Sequence, residues 1–133
     1  MDEQLNFSAL LVTGGCGFIP SNFINYVLSR LQSSSAKVIN YDCLTPASNK
    51  SNVDSSCVAP GQYVLVCGDV RNSELFEQVL RNYNVDVVVH FAAETHVRNS
   101  YEDPLRFVQS NVQGTVTILE ACRYLIRQVN KYS

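Results

Sequence analysis

Apolar residues in this chain fall either in short continuous runs or in stretches with a period near 3.6, the pattern of strands buried on both faces and joined by amphipathic helices. The first run, Ser8 to Thr13, ends in closely spaced glycines. A helical stripe follows, Phe23, Val27 and Leu31 backed by Ile24 and Leu28, with Asn22, Asn25, Ser29 and Arg30 opposite. Ser33 to Ser35 end that helix, and Val38 to Tyr41 form a second strand that closes at Asp42. Cys43 to Gly61 has no period and is rich in Ser, Asn and Pro, so it reads as a long surface loop. Tyr63 to Cys67 is the third strand, closed by Gly68-Asp69. Asn72 or Ser73 then caps a helix with Leu75, Phe76, Val79, Leu80 and Tyr83 on one face. Val85 to Phe91 is the fourth strand and runs into a loop carrying Thr95, His96, Arg98 and Ser100. Asp103-Pro104, an N-cap followed by a proline at the first helical position, opens a long helix to about Gln128. Its core-facing stripe is expected to be Leu105, Val108, Val112, Leu119, Cys122, Ile126 and Val129.

Strands alternating with helices predict an α/β fold, a Rossmann-like parallel sheet of order 3-2-1-4 with flanking helices, in effect a doubly wound sheet cut short. Residues 1–133 are expected to make one such domain, incomplete because no fifth strand follows. That leaves the fourth strand, with Val87-Val88-Val89, at an open edge where self-association is expected.

The chemistry centres on the turn after the first strand, Gly14-x-x-Gly17-x-x-Pro20. Glycines between a strand and a helix aim the free N–H groups and positive dipole end of that helix at whatever lies above, a setting for a pyrophosphate. Asp42, at the end of the next strand, is placed to accept from a ribose and to repel the extra phosphate of NADP, which favours NAD. Asp69 is within reach of the adenine, and the small residues after Phe91, Ala92 and Ala93, allow close approach at the switch point between strands one and four. Thr95, His96, Arg98 and Ser100 are candidates to meet a substrate. Singly these have plainer readings, an ordinary glycine turn, a solvated Asp, a packing His90 or a structural His96; their order along the chain is what joins them. Pro20 is expected to disfavour helical geometry at Ile19 and so to misaim one N–H of the anion site.

Composition narrows the classes further. With 46% hydrophobic and 17% charged residues and a formal charge of -2, the chain is an ordinary globular protein with no basic stripe for nucleic acid or anionic membrane. No apolar run approaches a membrane span and the start is not basic, so a cytoplasmic protein is expected. The cysteines, Cys16, Cys43, Cys57, Cys67 and Cys122, contain no C-x-x-C pair and are expected to be reduced, Cys67 and Cys122 in the core. There is no metal cluster, no G-K-[ST] after the glycines, no Ser-His-Asp set and no Tyr-x-x-x-Lys pair.

The segments LLVTGGCGFIPSNF (Leu10 to Phe23), YDCLT (Tyr41 to Thr45), GDV (Gly68 to Val70), VVHFAAETHV (Val88 to Val97), SNVQGT and LEACR (both within Ser110 to Arg123) stand in one register. Through them the chain resembles the N-terminal half of the nucleotide-sugar 4,6-dehydratases of the extended short-chain dehydrogenase/reductase superfamily. It looks like the branch acting on dTDP-glucose, including its UDP-glucose-using relatives. The resemblance implies a lyase of nucleotide-sugar metabolism in which bound NAD takes hydride from C4 of the hexose, water leaves across C5 and C6, and hydride returns to C6. It implies NAD contacts at Gly14, Gly17, Phe18, Ile19, Asp42, Cys43, Leu44, Thr45, Asp69, Val70, Phe91, Ala92, Ala93, Thr95 and Ser110, with Thr95 also facing the nucleotide sugar. The chain departs from the family at Pro20, where Gly or Ala is usual, and at Arg98, where His96-Val97 is normally followed by Asp. The family's Thr-Asp-Glu and Tyr-x-x-x-Lys segments have no counterpart here, so no catalytic residue carries over and the chain alone is expected to be inactive. Two further readings are a non-catalytic NAD-binding module acting through a partner chain and part of a sugar-nucleotide epimerase.

Overall fold

The computed structural model describes residues 6–31, 34–46 and 48–131. Four parallel strands, β1 (Ala9–Thr13), β2 (Lys37–Asp42), β3 (Tyr63–Cys67) and β4 (Val87–His90), form one sheet in the order β3-β2-β1-β4. The Rossmann-like order expected from the sequence is the one observed. Thr13 stands between Tyr41 and His90 in the register, and Asp42 stands opposite Cys67. All four strands therefore end at one edge of the sheet, where ligands collect in such folds.

Alternation along β1 divides the core. Leu10 and Val12 face one side, where they meet Val38 and the buried Ile24, Val27 and Leu28 of helix α1 (Phe18–Leu28). Ala9 and Leu11 face the other, with Ile39, Tyr41, Phe76, Val79 and Leu80 of helix α2 (Ser73–Asn82), and Ile118 and Ala121. Asn72 caps α2 through its side chain, which accepts from the N–H of Leu75. Its amphipathic face is the one the spacing predicts. Helix α1 stops at Leu28, short of the expected stripe, and Ser33 of the expected break lies outside the described residues.

After β4 the structure departs from expectation in three ways. The loop of Thr95 to Ser100 contains a short helix, α3 (Val97–Glu102). The long helix begins as α4 (Pro104–Phe107), with Asp103 capping Arg106 N–H, widens into a π-helical stretch at Val108–Gln113, and continues as α5 (Gly114–Lys131). Its expected core stripe is largely exposed: Leu105, Val108, Val112, Leu119, Ile126 and Val129 face solvent. The buried side is Gly114, Ile118 and Ala121, with Cys122 and Leu125 packed against the core. The helix carries two apolar stripes, and only the narrow, small-residue one fits beside α2. Cys67 is also exposed, because it ends its strand at the open edge, whereas Cys122 does pack inward. Among the described residues no helix is long and apolar enough to cross a membrane.

Candidate dinucleotide site

The turn after β1 is built for close backbone approach. Gly14 has φ +69°, and a Cβ there would lie 2.9 Å from the Cα of Ala92. At Gly15 a Cβ would sit 2.2 Å from Oδ1 of Asn40 and 2.5 Å from Ile24, so only glycine lets the turn lie this low on the sheet. Gly17 is the N-cap of α1 and offers no side-chain cap; the first helical bond runs from Ser21 N–H to Gly17 O at 3.1 Å. The N–H groups of Phe18 and Ile19 therefore have no intrahelical acceptor, no acidic side chain lies in the first turn, and both residues are exposed. This is a helix end suited to an anion.

Pro20 is buried in that first turn and Ile19 remains helical, so the expected misaiming of its N–H does not occur. Position matters here. A proline this early gives up an N–H that has no intrahelical partner, and its ring finds room against Gly17.

Asp42 is buried and acts as a clamp. Its Oδ2 accepts from Cys16 N–H at 3.0 Å, and its Oδ1 accepts from Leu44 N–H at 2.7 Å and from the Ser48 hydroxyl at 2.9 Å. One carboxylate thus ties the glycine turn to the exit of β2, where Leu44 takes a left-handed φ of +56°. Oδ2 receives only one of these donors and keeps acceptor capacity for a ligand hydroxyl. The loop beyond, expected to lack regular structure, holds a 3-10 turn at Lys50–Asn52 and latches onto the same place: Asn49 N–H and the Asn52 amide both donate to Cys16 O. Burial, with Asp42 next to it, pushes the Cys16 thiol up, so it stays a neutral packing group. Asn40 donates to Cys16 Sγ and to the Tyr63 hydroxyl, while its own buried Oδ1 has no partner.

The exit of β4 is held by a directed chain of hydrogen bonds. Thr13 Oγ1 accepts from the N–H groups of Phe91 and Ala92, both at 3.1 Å, so its one proton goes to His90 Nδ1 at 2.7 Å. Thr115 Oγ1 gives its proton to Asn111 O and lies 3.1 Å from His90 Nε2. His90 is therefore neutral with its proton on Nε2, and burial pushes its pKa below the usual value. Rather than merely packing, it bridges β1 to α5. Asn111 continues the chain by accepting from Glu94 N–H and donating to Glu94 O, and Glu94 pairs with Arg106 at 2.7 Å.

The matching family model, described as GDP-mannose 4,6 dehydratase, covers residues 11–132. The chain belongs to this family. The dTDP-glucose 4,6-dehydratase of Mycolicibacterium smegmatis is 45% identical over 114 residues, which are 86% of this chain and 32% of that protein. The dTDP-glucose 4,6-dehydratase of Streptomyces venezuelae, solved with NAD bound, superposes with a TM-score of 0.75 at 41% identity, over 85% of this chain and 35% of that one. A UDP-glucose-4-epimerase of Stenotrophomonas maltophila, also with NAD, gives 0.71 at 30% identity, over 87% of this chain and 33% of that one. The chain spans about a third of the length of the relatives it matches.

Within this family frame, the structure brings Gly14, Gly17, Phe18, Ile19, Asp42, Leu44 and Thr45 to one end of the sheet, with Phe91 and Ala92 against the same turn. Asp69 and Val70 lie past the end of β3, Cys43 past β2, Ala93 and Thr95 are exposed beyond β4, and Ser110 sits half-buried in the π-helical stretch. Of the residues expected to meet a substrate, Thr95 lies in the loop after β4, and His96, Arg98 and Ser100 lie at or within α3. His96 is the N-cap residue of α3, Arg98 pairs outward with Glu102 at 3.3 Å, and the Ser100 hydroxyl turns back to Val97 O. Sequence reasoning missed Gly15, Asn40, Ser48 and Asn111. Only Asn40 carried a signal, a polar residue inside an apolar strand run.

Proposed function

We propose that these residues are the NAD-binding part of a nucleotide-sugar 4,6-dehydratase acting on dTDP-glucose or UDP-glucose. The observation that carries the reading is the uncapped N-terminus of α1, set over a glycine turn that the buried Asp42 clamps to the end of β2. Phe18 and Ile19 offer their N–H groups to the pyrophosphate, and Asp42 offers Oδ2 to the adenosine ribose, with Cys43, Leu44 and Thr45 beside it. Asp69 and Val70 border the base, Phe91, Ala92 and Ala93 border the nicotinamide half, and Thr95 and Ser110 complete the wall, Thr95 on the side of the sugar nucleotide. NAD, when bound, supplies the hydride acceptor for oxidation at C4 of the hexose.

The dehydratase branch is preferred to the epimerases because the sequence identity to its solved structures is higher, 41%, 40% and 41% against 30%, 30%, 26%, 26% and 32%. No Tyr-x-x-x-Lys pair occurs in this sequence, so the chain binds without turning over. Five free cysteines fit a reducing compartment, and we place the protein in the cytoplasm. Calorimetric titration tests the reading. Saturable 1:1 binding of NAD, with NADP at least about tenfold weaker because Asp42 opposes its extra phosphate, is expected. Equal affinity for the two, or binding of neither, overturns it.

A further inference from the structure

The hydrogen bonds at the exit of β4 close into a circuit. Thr13 bonds His90, His90 bonds Thr115, and Thr115 bonds Asn111 O. The Asn111 amide then holds both the N–H and the carbonyl of Glu94, from which the chain runs back through Ala93 to Ala92, whose N–H returns to Thr13. The glycine turn sits directly on this circuit. Thr13 precedes Gly14, and a Cβ on Gly14 would lie 2.9 Å from Ala92 Cα, so turn and strand exit have no slack between them. Phe91, whose N–H reaches Thr13 O at 3.3 Å as well as Thr13 Oγ1 at 3.1 Å, packs on Phe23 of α1 with 5.5 Å between ring centroids.

The circuit closes in one protonation state only. Thr13 Oγ1 gives both lone pairs to the N–H groups of Phe91 and Ala92, so it can donate to Nδ1 of His90 but has nothing left with which to accept. A second proton on the imidazole lands on Nδ1 and sets an N–H against an O–H across 2.7 Å. Either the imidazole swings away or Thr13 turns and drops a backbone N–H, and both free Ala92 to shift against the turn. No neighbouring charge offsets this. Tyr41 and Cys122, titratable side chains on the same core face, are kept neutral by burial; α2 turns Phe76, Val79 and Leu80 to that face, and Glu94 at the exit is paired with Arg106.

Resting on the dinucleotide reading, we propose that His90 is a positioning residue of the cofactor site: its neutral imidazole, protonated on Nε2, holds the exit of β4 against the glycine turn, and a doubly protonated imidazole opens that latch and lowers NAD affinity. The sign follows from which state binds. NAD favours the neutral imidazole, so affinity is complete above the folded pKa of His90 and is lost as pH falls through it.

The test follows the nitrogen-15-labelled 133-residue chain from above pH 7 to about pH 5, where histidine is the one side chain that ordinarily titrates. Above pH 7 the His90 imidazole is expected to show a bare Nδ1 and a protonated Nε2. NAD affinity, measured calorimetrically at each pH, is expected to fall below the imidazole's own midpoint by up to about tenfold per pH unit, the limit for one proton. His90→Asn, whose amide oxygen stands in for Nδ1 and does not titrate, is expected to bind within about threefold of the unmodified chain above pH 7 and to lose the pH dependence. Thr13→Val, which leaves two backbone N–H groups unpaired, is expected to weaken binding by about tenfold or more, and Thr13→Ser to restore it. Several results overturn the proposal and leave the dinucleotide reading standing: a proton on Nδ1 above pH 7, an imidazole that stays singly protonated until the fold is lost, affinity that stays flat while the second proton binds, an equal fall in His90→Asn, or full binding by Thr13→Val. NAD that binds none of these chains at any pH overturns the dinucleotide reading, and this proposal with it.

Discussion

Asp42 offers the sharpest perturbation of the site, because one carboxylate restrains three backbone or side-chain donors from two segments. Asp42→Ala strands the N–H of Cys16, a fully buried residue, at a cost of about 1–3 kcal/mol. Leu44 N–H and the Ser48 hydroxyl are only partly buried, so water replaces the carboxylate there and each loss is about 0.5–1 kcal/mol. Freeing Leu44 from its left-handed backbone returns up to about 1 kcal/mol. The net expectation is a loss of about 2–4 kcal/mol, a large part of a typical domain's stability. Asp42→Asn keeps one acceptor oxygen and is expected to lose about half as much, which keeps the experiment readable if the alanine variant unfolds. Urea unfolding followed by far-ultraviolet circular dichroism measures both, and Asp69→Ala, which breaks an exposed pair, serves as the reference at under about 1 kcal/mol. An Asp42→Ala chain within about 1 kcal/mol of the unmodified one refutes the clamp.

Pro20→Gly is expected to lower stability by about 1–2 kcal/mol, by losing a buried ring and gaining backbone freedom, without tightening NAD binding; tighter binding in a titration counts against the packing seen at Gly17. His90 is held neutral by burial, so its folded pKa lies below its unfolded one: the stability it contributes is complete above about pH 6.5 and is lost as pH falls through the folded value. Urea midpoints above pH 7 and near pH 5 are expected to drop further for the unmodified chain than for His90→Gln, and equal drops contradict this. The exposed helical face and the edge strand β4, with Val87 at the rim, are expected to drive self-association that Val87→Lys reduces; light scattering showing a dilution-stable monomer contradicts it. Incubated with NAD and dTDP-glucose, the purified chain is expected to form no 4-keto-6-deoxy sugar.

The sheet was legible because its strands are short apolar runs, three of the four closed by Gly or Asp, and β3 coincides with the run Tyr63 to Cys67. The cap at Asn72 was legible for a chemical reason, an amide acceptor three residues before Leu75. Periodicity failed on α5, where two stripes have the same spacing and only the room beside α2 selects Ile118 and Ala121. It failed again at α3, six residues of which none is buried. At the site, the glycine turn and Asp42 were readable as a motif. That Asp42 turns inward to clamp Cys16, and that Asp69 is taken by Arg71, depend on side-chain geometry across segments that sequence spacing does not encode.

On the proposed reading, the first turn of α1 is the anion cradle of the dinucleotide site. That reading is tested most directly by following the backbone amide resonances of the 133-residue chain during titration with NAD. The amides of Phe18 and Ile19 are expected to shift most, with those of Gly15, Leu44 and Ala92 moving at the same ligand concentration. Shifts confined to other parts of the sheet, or none at saturating NAD, contradict the account.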